Sequence, residues 1–297
     1  MNSGHPPPHI PVMEQEVLTN LLPEPGNIYV DGTLGLGGHS SSILQACGPD
    51  GQVIGFEWDE NAIAFASQRL EKFGQRFITA KASYATLLST LETMGIQKID
   101  GLLLDLGVSS LQLDTGERGF SFRFDAPLDM RMGSGLQTTA ADIINTASEE
   151  DLADIFFNYG EERQARRIAS KVTAFRKNEA INTTKQLATV VALAIPKRYH
   201  PKKIHVATKV FQALRIAVNK EFDNLVTILK DAPQVLNPGA RVCVITFHSI
   251  EDRITKQAFT KDPNYQLLDS KPIIPSQMEI ANNPRSRSAK LRVAVRI

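Results

Sequence analysis

The sequence predicts an α/β protein: a doubly wound, Rossmann-like parallel sheet interrupted once by an all-helical insertion. Three observations carry this. Short apolar runs that each end in an acid, Ile28–Asp31, Gln52–Glu57 and Ile99–Asp105, alternate with amphipathic stretches. That is the pattern of parallel strands joined by right-handed helical crossovers. The first run opens into Gly32-Thr33-Leu34-Gly35-Leu36-Gly37-Gly38, a strand, glycine turn and helix start of the kind that binds ligands at the carboxyl edge of such sheets. From about 109 to 205 the alternation stops, and every convincing segment there is helical.

Residues 1–11 read as a flexible lead-in, and 12–22 carry a helical apolar pattern that Pro23 and Pro25 stop. After the glycine turn a helix follows over 41–46. The second strand is followed by a helix over 60–73, a short third strand over 76–80, a helix over 87–94 and then the fourth strand. Residues 106–132, rich in Gly, Asp and Arg, read as a structured loop. Helices are expected over 140–145, 149–159, 161–176 and 184–194, with Thr138 or Thr139, Ser148 and Thr183 as caps. Pro196 and Pro201 close this block. The sheet pattern resumes with one long amphipathic helix over 206–229, a turn at Asn237-Pro238-Gly239, a strand over 241–247 and a late edge strand over 291–297. The expected units are 1–108 with 206–297, and an insertion over 109–205.

At 297 residues and 42% apolar composition, the chain has ample material for a core. No apolar run approaches the about 20 residues of a membrane span, and the first residues lack the basic-then-apolar pattern of an export signal. The two cysteines, Cys47 and Cys243, are far apart in sequence. Neither a disulfide framework nor a metal site is expected, and a cytoplasmic location is. The net charge of +1 hides an asymmetry. Between Gly160 and Lys203 stand eleven basic residues (Arg163, Arg166, Arg167, Lys171, Arg176, Lys177, Lys185, Lys197, Arg198, Lys202, Lys203) against three acids. The tail adds Arg285, Arg287, Lys290, Arg292 and Arg296 without an acid. Two such stretches in a near-neutral chain favour a phosphate-backbone partner.

Strand-end acids sharpen the reading of the glycine turn. Asp31 at its mouth would repel a pyrophosphate but suits S-adenosylmethionine, which carries an ammonium and a sulfonium. Gly35-x-Gly37-x-x-Ser40 also lacks the third glycine of the dinucleotide fingerprint. Glu57 ends the second strand, where adenosine-binding sheets place an acid to accept both ribose hydroxyls. Asp105 ends the fourth strand and is suited to a ligand ammonium or a substrate amine, or to capping the following turn. His248-Ser249 with nearby acids hints at a hydrolase triad, but the Gly-x-Ser-x-Gly elbow is missing. These residues better fit a pocket boundary or a tied-down loop. Three function classes stay open at this point: a methyl-transferring enzyme, an NAD-dependent oxidoreductase and a non-catalytic RNA-binding module.

Several segments resemble one known family. They are Asp31-Gly32-Thr33 through Gly37-Gly38-His39-Ser40, Leu103-Leu104-Asp105-Leu106-Gly107-Val108-Ser109-Ser110, Glu117-Arg118-Gly119-Phe120-Ser121-Phe122, Pro127-Leu128-Asp129-Met130-Arg131-Met132, Tyr159-Gly160-Glu161-Glu162-Arg163, Phe247-His248-Ser249 with Glu251-Asp252-Arg253, and Asn283-Pro284-Arg285. Together they are similar to the bacterial ribosomal RNA small-subunit methyltransferase H (MraW) family, over nearly the whole chain. The resemblance implies a class I S-adenosylmethionine-dependent methyltransferase with an inserted helical domain, the one whose charge favours an RNA partner. The implied reaction is methyl transfer to N4 of one cytidine in the decoding region of 16S rRNA, within the small ribosomal subunit. By the same resemblance the cofactor contacts fall on Gly37, Gly38, His39, Glu57, Tyr84, Asp105 and Gln112. The candidate catalytic acceptor of the amine hydrogen is Asp105 or a nearby backbone carbonyl. Glu57 and Tyr84 stand where Asp and Phe are commoner in the family.

Overall fold

The computed structural model describes residues 10–107, 116–133, 135–201 and 204–297. The strands are β1 (Ile28–Asp31), β2 (Gln52–Glu57), β3 (Phe77–Lys81), β4 (Ile99–Asp105), β5 (Leu236–Thr246), β6 (Tyr265–Leu267) and β7 (Lys290–Arg296). The helices are α1 (Glu14–Leu21), α2 (Gly38–Ala46), α3 (Glu60–Leu70), α4 (Leu87–Thr93), α5 (Ala140–Thr146), α6 (Glu149–Asn158), α7 (Ala165–Arg176), α8 (Thr184–Ala194), α9 (Thr208–Asn219), α10 (Glu221–Asp231), α11 (Ser249–Lys261) and α12 (Gln277–Asn282). The chain divides into two compact units, Met1–Gly107 with Phe222–Ile297, and Val108–Glu221.

The first unit holds one seven-stranded sheet in the order β3-β2-β1-β4-β5-β7-β6. Strands β1 to β5 run parallel, and β7 is antiparallel to both of its neighbours. Successive strand residues bury on opposite faces. Val30, Ile54, Leu102, Leu104 and Val244 pack with Leu87 and Leu91 of α4 and Leu225, Ile228 and Leu229 of α10. Tyr29, Val53, Leu103 and Cys243 pack with Leu21 of α1, Ile43 and Leu44 of α2, and Leu70 of α3 on the other face. Helices cover both faces, so the middles of the parallel strands are near-continuous apolar runs, as doubly wound sheets require.

The second unit contains α5 to α9. Thr139, Ser148 and Thr183 each close a capping box at their helix, satisfying N–H groups that a helix start leaves unpaired. In α7, Ala165, Ile168, Ala169 and Val172 are buried, one helical face by their spacing. Gly160 lies against α9: a methyl group there would stand 2.5 Å from the Lys209 carbonyl oxygen and 2.8 Å from that of Phe156. Asn219, at the end of α9, donates to the Met130 carbonyl and accepts from the Met132 amide, both at 2.8 Å.

The structure corrects several expected boundaries. The long helix of 206–229 is two helices, broken at Lys220, whose φ is +52°. Apolar periodicity cannot register a single left-handed residue. Packing of α9 on α5 and α6 explains why α9 groups with the helical unit, whose limit falls after Glu221 rather than at 205. Helix α7 begins at Ala165 rather than 161, because Glu161 is left-handed at φ +48°. The Asn237-Pro238-Gly239 turn lies inside β5, where the register with β4 shifts between Ile99 and Gly101. Nor is β7 an edge strand: the three-residue β6, too short to read from pattern, lies outside it.

The tail charge also needs correcting. Asp252 binds Arg292 at 2.6 Å and Lys290 at 3.2 Å, and Arg296 donates to the Pro233 carbonyl. Arg292 is 5% exposed. Those three cations are engaged within the fold at the two ends of β7, leaving Arg285 and Arg287 as the exposed basic pair of the tail.

Candidate active site at the glycine loop

The loop after β1 depends on glycine for its shape and its packing. Gly35 and Gly37 adopt φ of +50° and +75°, a region that glycine enters without steric cost. Gly37 caps α2, and a methyl on it would meet Leu70 at 3.0 Å. Gly38 is pressed against Pro11, 2.8 Å from a would-be methyl. A side chain on Gly32 would meet Leu104 at 2.5 Å and the Cβ of Tyr84 at 3.2 Å. Tyr84 therefore stands beside the start of the loop, in the short turn Tyr84–Thr86.

Asp31 is 1% exposed, so it does not face a ligand at the mouth as its position suggested. It accepts from the Thr33 amide at 3.1 Å and the Ser40 hydroxyl at 2.7 Å, tying the loop to the first turn of α2. Burial pushes its carboxyl above the ordinary range, against the pull of His39, Ser40 and the Thr33 amide. Thr33 also latches the neighbouring strand: its hydroxyl accepts the Asp105 amide at 2.6 Å. The sequence reading missed this latch; the Asp-Gly-Thr run at 31–33 was its only signal.

Glu57, half-buried at the end of β2, accepts from the amides of Trp58 (2.9 Å), Asp59 (3.0 Å) and Gly35 (3.2 Å). Burial raises its carboxyl pKa in spite of these donors. The Gly35 bond couples β2 to the loop, so a ligand held by Glu57 meets the glycine turn as well.

His39 and Asp105 come together across the ends of α2 and β4, with Nε2 3.6 Å from Oδ2. His39 is 7% exposed. Among the described residues, His39 Nε2 and Asp105 Oδ1 are buried without a hydrogen-bond partner. Such orphans are costly in a folded protein, and each calls for a bonding partner or a role. Burial disfavours the imidazolium, but the carboxylates of Asp105, Asp31 and Glu14 outweigh it and hold the His39 pKa above its ordinary value.

Six of the seven expected cofactor contacts thus lie along the loop or the strand ends beside it. Gln112 lies outside the described residues. The set fits S-adenosylmethionine: a glycine turn at Gly35 and Gly37 leading into α2, a half-buried carboxylate at Glu57 for hydroxyls, and a part-exposed carboxylate at Asp105 for an ammonium. His248 serves otherwise. It caps α11, with Nε2 2.9 Å from Glu251, and Glu251, 2% exposed, accepts from the Phe247 amide at 2.8 Å. That fastens the turn after β5, and Ser249 simply begins α11.

Comparison with known proteins extends these observations. The profile of the MraW methylase family matches residues 7–297. The ribosomal RNA small subunit methyltransferase H of Desulfotalea psychrophila is 56% identical over 289 residues, covering 97% of this chain and 98% of that protein. Proteins of the same name from Geotalea daltonii and Geobacter sulfurreducens are 47% and 46% identical over 307 residues. Each match covers 97% of this chain, with 98% and 99% of the respective protein.

Proposed function

The chain belongs to the MraW methylase family, and from that premise we propose that it methylates the N4 amine of a decoding-region cytidine in 16S rRNA of the small ribosomal subunit, in the cytoplasm. It is an S-adenosylmethionine-dependent methylase of small-subunit rRNA. Bound S-adenosylmethionine supplies a methyl group activated by its sulfonium. The chain's own residues supply position. The turn at Gly37 and Gly38 brings the donor to the start of α2, Glu57 accepts the ribose hydroxyls, and the Asp105 carboxylate accepts an N–H from an ammonium or from the incoming amine. Alignment of this kind contributes on the order of 7–11 kcal/mol in well-oriented systems. The target base must leave any stack to reach such a pocket.

The observation that favours an amine over a ring carbon is the state of the cysteines. Methylation of cytosine carbon 5 requires a thiolate to add to carbon 6. Cys243 is buried inside β5 and its pKa is pushed up to about 12. Cys47 is buried at the end of α2; burial raises its pKa although Arg76 opposes the shift. Neither thiol forms a thiolate readily at neutral pH. The exocyclic amine needs no covalent adduct, only alignment and an acceptor.

Two measurements test the binding roles. Glu57→Ala removes a charged acceptor, a loss of roughly 1.5–3 kcal/mol in such bonds. Calorimetric titration with S-adenosylmethionine is expected to show weaker binding to match. An unchanged Kd would remove the ribose assignment.

For the RNA, Arg163, Arg166, Arg167 and Lys171 are all exposed at or along the outer side of α7. Arg176 is not part of that surface, since it donates to the Ile144 and Ala147 carbonyls, and Lys202 and Lys203 lie outside the described residues. Replacing Arg163, Arg166 and Arg167 with Ala should flatten the salt dependence of RNA binding, by about 0.7 to 0.9 slope units per lost phosphate contact, with cofactor affinity preserved. A preserved slope would place the RNA surface elsewhere.

A further inference from the structure

Of the buried polar groups near the loop, the His39 imidazole is the one that the binding roles above leave without a task for its ring. It stands in the first turn of α2, where the helix dipole disfavours a cation, and burial disfavours one too. Against this, carboxylates face it from three other elements: Asp31 of β1, Asp105 of β4 and Glu14 of α1. Two are already engaged. Asp31 takes Thr33 and Ser40, and Glu14 takes the Ser42 hydroxyl one turn along α2. Among the described residues it is Asp105 whose side chain lies within ion-pair distance of Nε2, through Oδ2 at 3.6 Å. That separation exceeds a hydrogen bond, so the attraction is between charges. A neutral ring would either turn a lone pair toward the carboxylate or offer an N–H that does not reach it.

We propose that His39 is a positioning residue: its ring, 3.6 Å from Asp105 Oδ2, holds the Asp105 carboxylate in the orientation that accepts the ligand's ammonium or amine. The inference rests on the reading of Asp105 as that acceptor. The Thr33 latch fixes the Asp105 backbone, and His39 fixes its carboxylate, so the two restraints together define one orientation. The arrangement also places a single positive charge among three carboxylates, leaving a net negative site suited to a cationic ligand. Loss of the His39 proton would free the carboxylate to rotate and weaken binding without removing any ligand contact.

The test uses the full chain. The His39 ring, assigned through its backbone, is followed by NMR from pH 5 to pH 10 in the wild type and in Asp105→Asn. The wild-type ring is expected to titrate above the ordinary histidine range and to move down in the variant. In parallel, calorimetry with S-adenosylhomocysteine, which carries the same ammonium, is run across that pH range on wild type and His39→Gln. The wild type should lose about tenfold more affinity than His39→Gln as pH rises through the His39 titration, the ligand's own amine titrating equally in both. A ring that titrates at the ordinary value and ignores Asp105→Asn overturns the proposal, as does an identical pH profile in His39→Gln. The acceptor reading fails separately, if Asp105→Asn binds S-adenosylhomocysteine as tightly as the wild type. The NMR arm stands whether or not His39→Gln folds.

Discussion

Asp252→Ala is expected to lose about 3–5 kcal/mol of stability, the cost of leaving a buried charge without its partner. Its carboxylate joins Arg292 and Lys290 of β7 to the first turn of α11, and Arg292 has almost no access to water to replace it. Burial alone would raise the Asp252 pKa, but the two cations outweigh it and hold the carboxyl below its ordinary value. The pH dependence follows from that direction. The contribution is fully present above the unfolded carboxylate value, about 3.9, and is lost as pH falls through the lower folded value. Urea unfolding at neutral pH should show the full deficit of the variant, and unfolding in acid a smaller one. An unchanged midpoint at neutral pH would mean that the pair is dispensable.

Gly119→Ala should be comparably severe and confined to the helical unit. Gly119 adopts φ +74°, and a methyl group would run into the Pro127 carbonyl oxygen and stand 2.8 Å from the Asp129 amide nitrogen. Both obstacles are backbone and cannot rotate away. A left-handed alanine costs about 1–3 kcal/mol, and forced overpacking about 1–3 kcal/mol more. Neighbouring Arg118 would be displaced from the Arg131 and Met132 carbonyls it binds at 2.8 and 3.0 Å. The expected signature is early loss of protection from hydrogen exchange in α5 to α9, with β1 to β5 protected as in the wild type. Uniform loss across both units would contradict it.

Much of the sheet was legible because its signals are local. Acid-ended apolar runs give β1, β2 and β4 to the residue, and Thr139, Ser148 and Thr183 cap where their side-chain chemistry suggests. What escaped depends on partners distant in sequence. Lys290 and Arg292 read as free basic charge because nothing in the tail reveals that Asp252 faces them. Asp31 read as a ligand group because its burial is set by Ser40 and Thr33 folding over it. The Glu-Arg-Gly-Phe-Ser-Phe and Tyr-Gly-Glu-Glu-Arg motifs mark the family strongly, yet Gly119 and Gly160 in them serve close backbone packing. At the site itself, residue types were readable, while the Thr33 latch and the unpaired oxygen of Asp105 needed coordinates.

In the proposed reaction this methylase modifies an exocyclic amine without a covalent enzyme adduct. The most direct test is the Cys47→Ser, Cys243→Ser double variant, checked for folding by circular dichroism and incubated with small-subunit rRNA and S-adenosylmethionine. The product is read by mass spectrometry of the RNA nucleosides, with N4-methylcytidine and 5-methylcytidine standards alongside. A folded double variant should yield N4-methylcytidine as the wild type does. Abolished methylation in the folded variant, or a product that co-elutes with 5-methylcytidine, would contradict the amine mechanism.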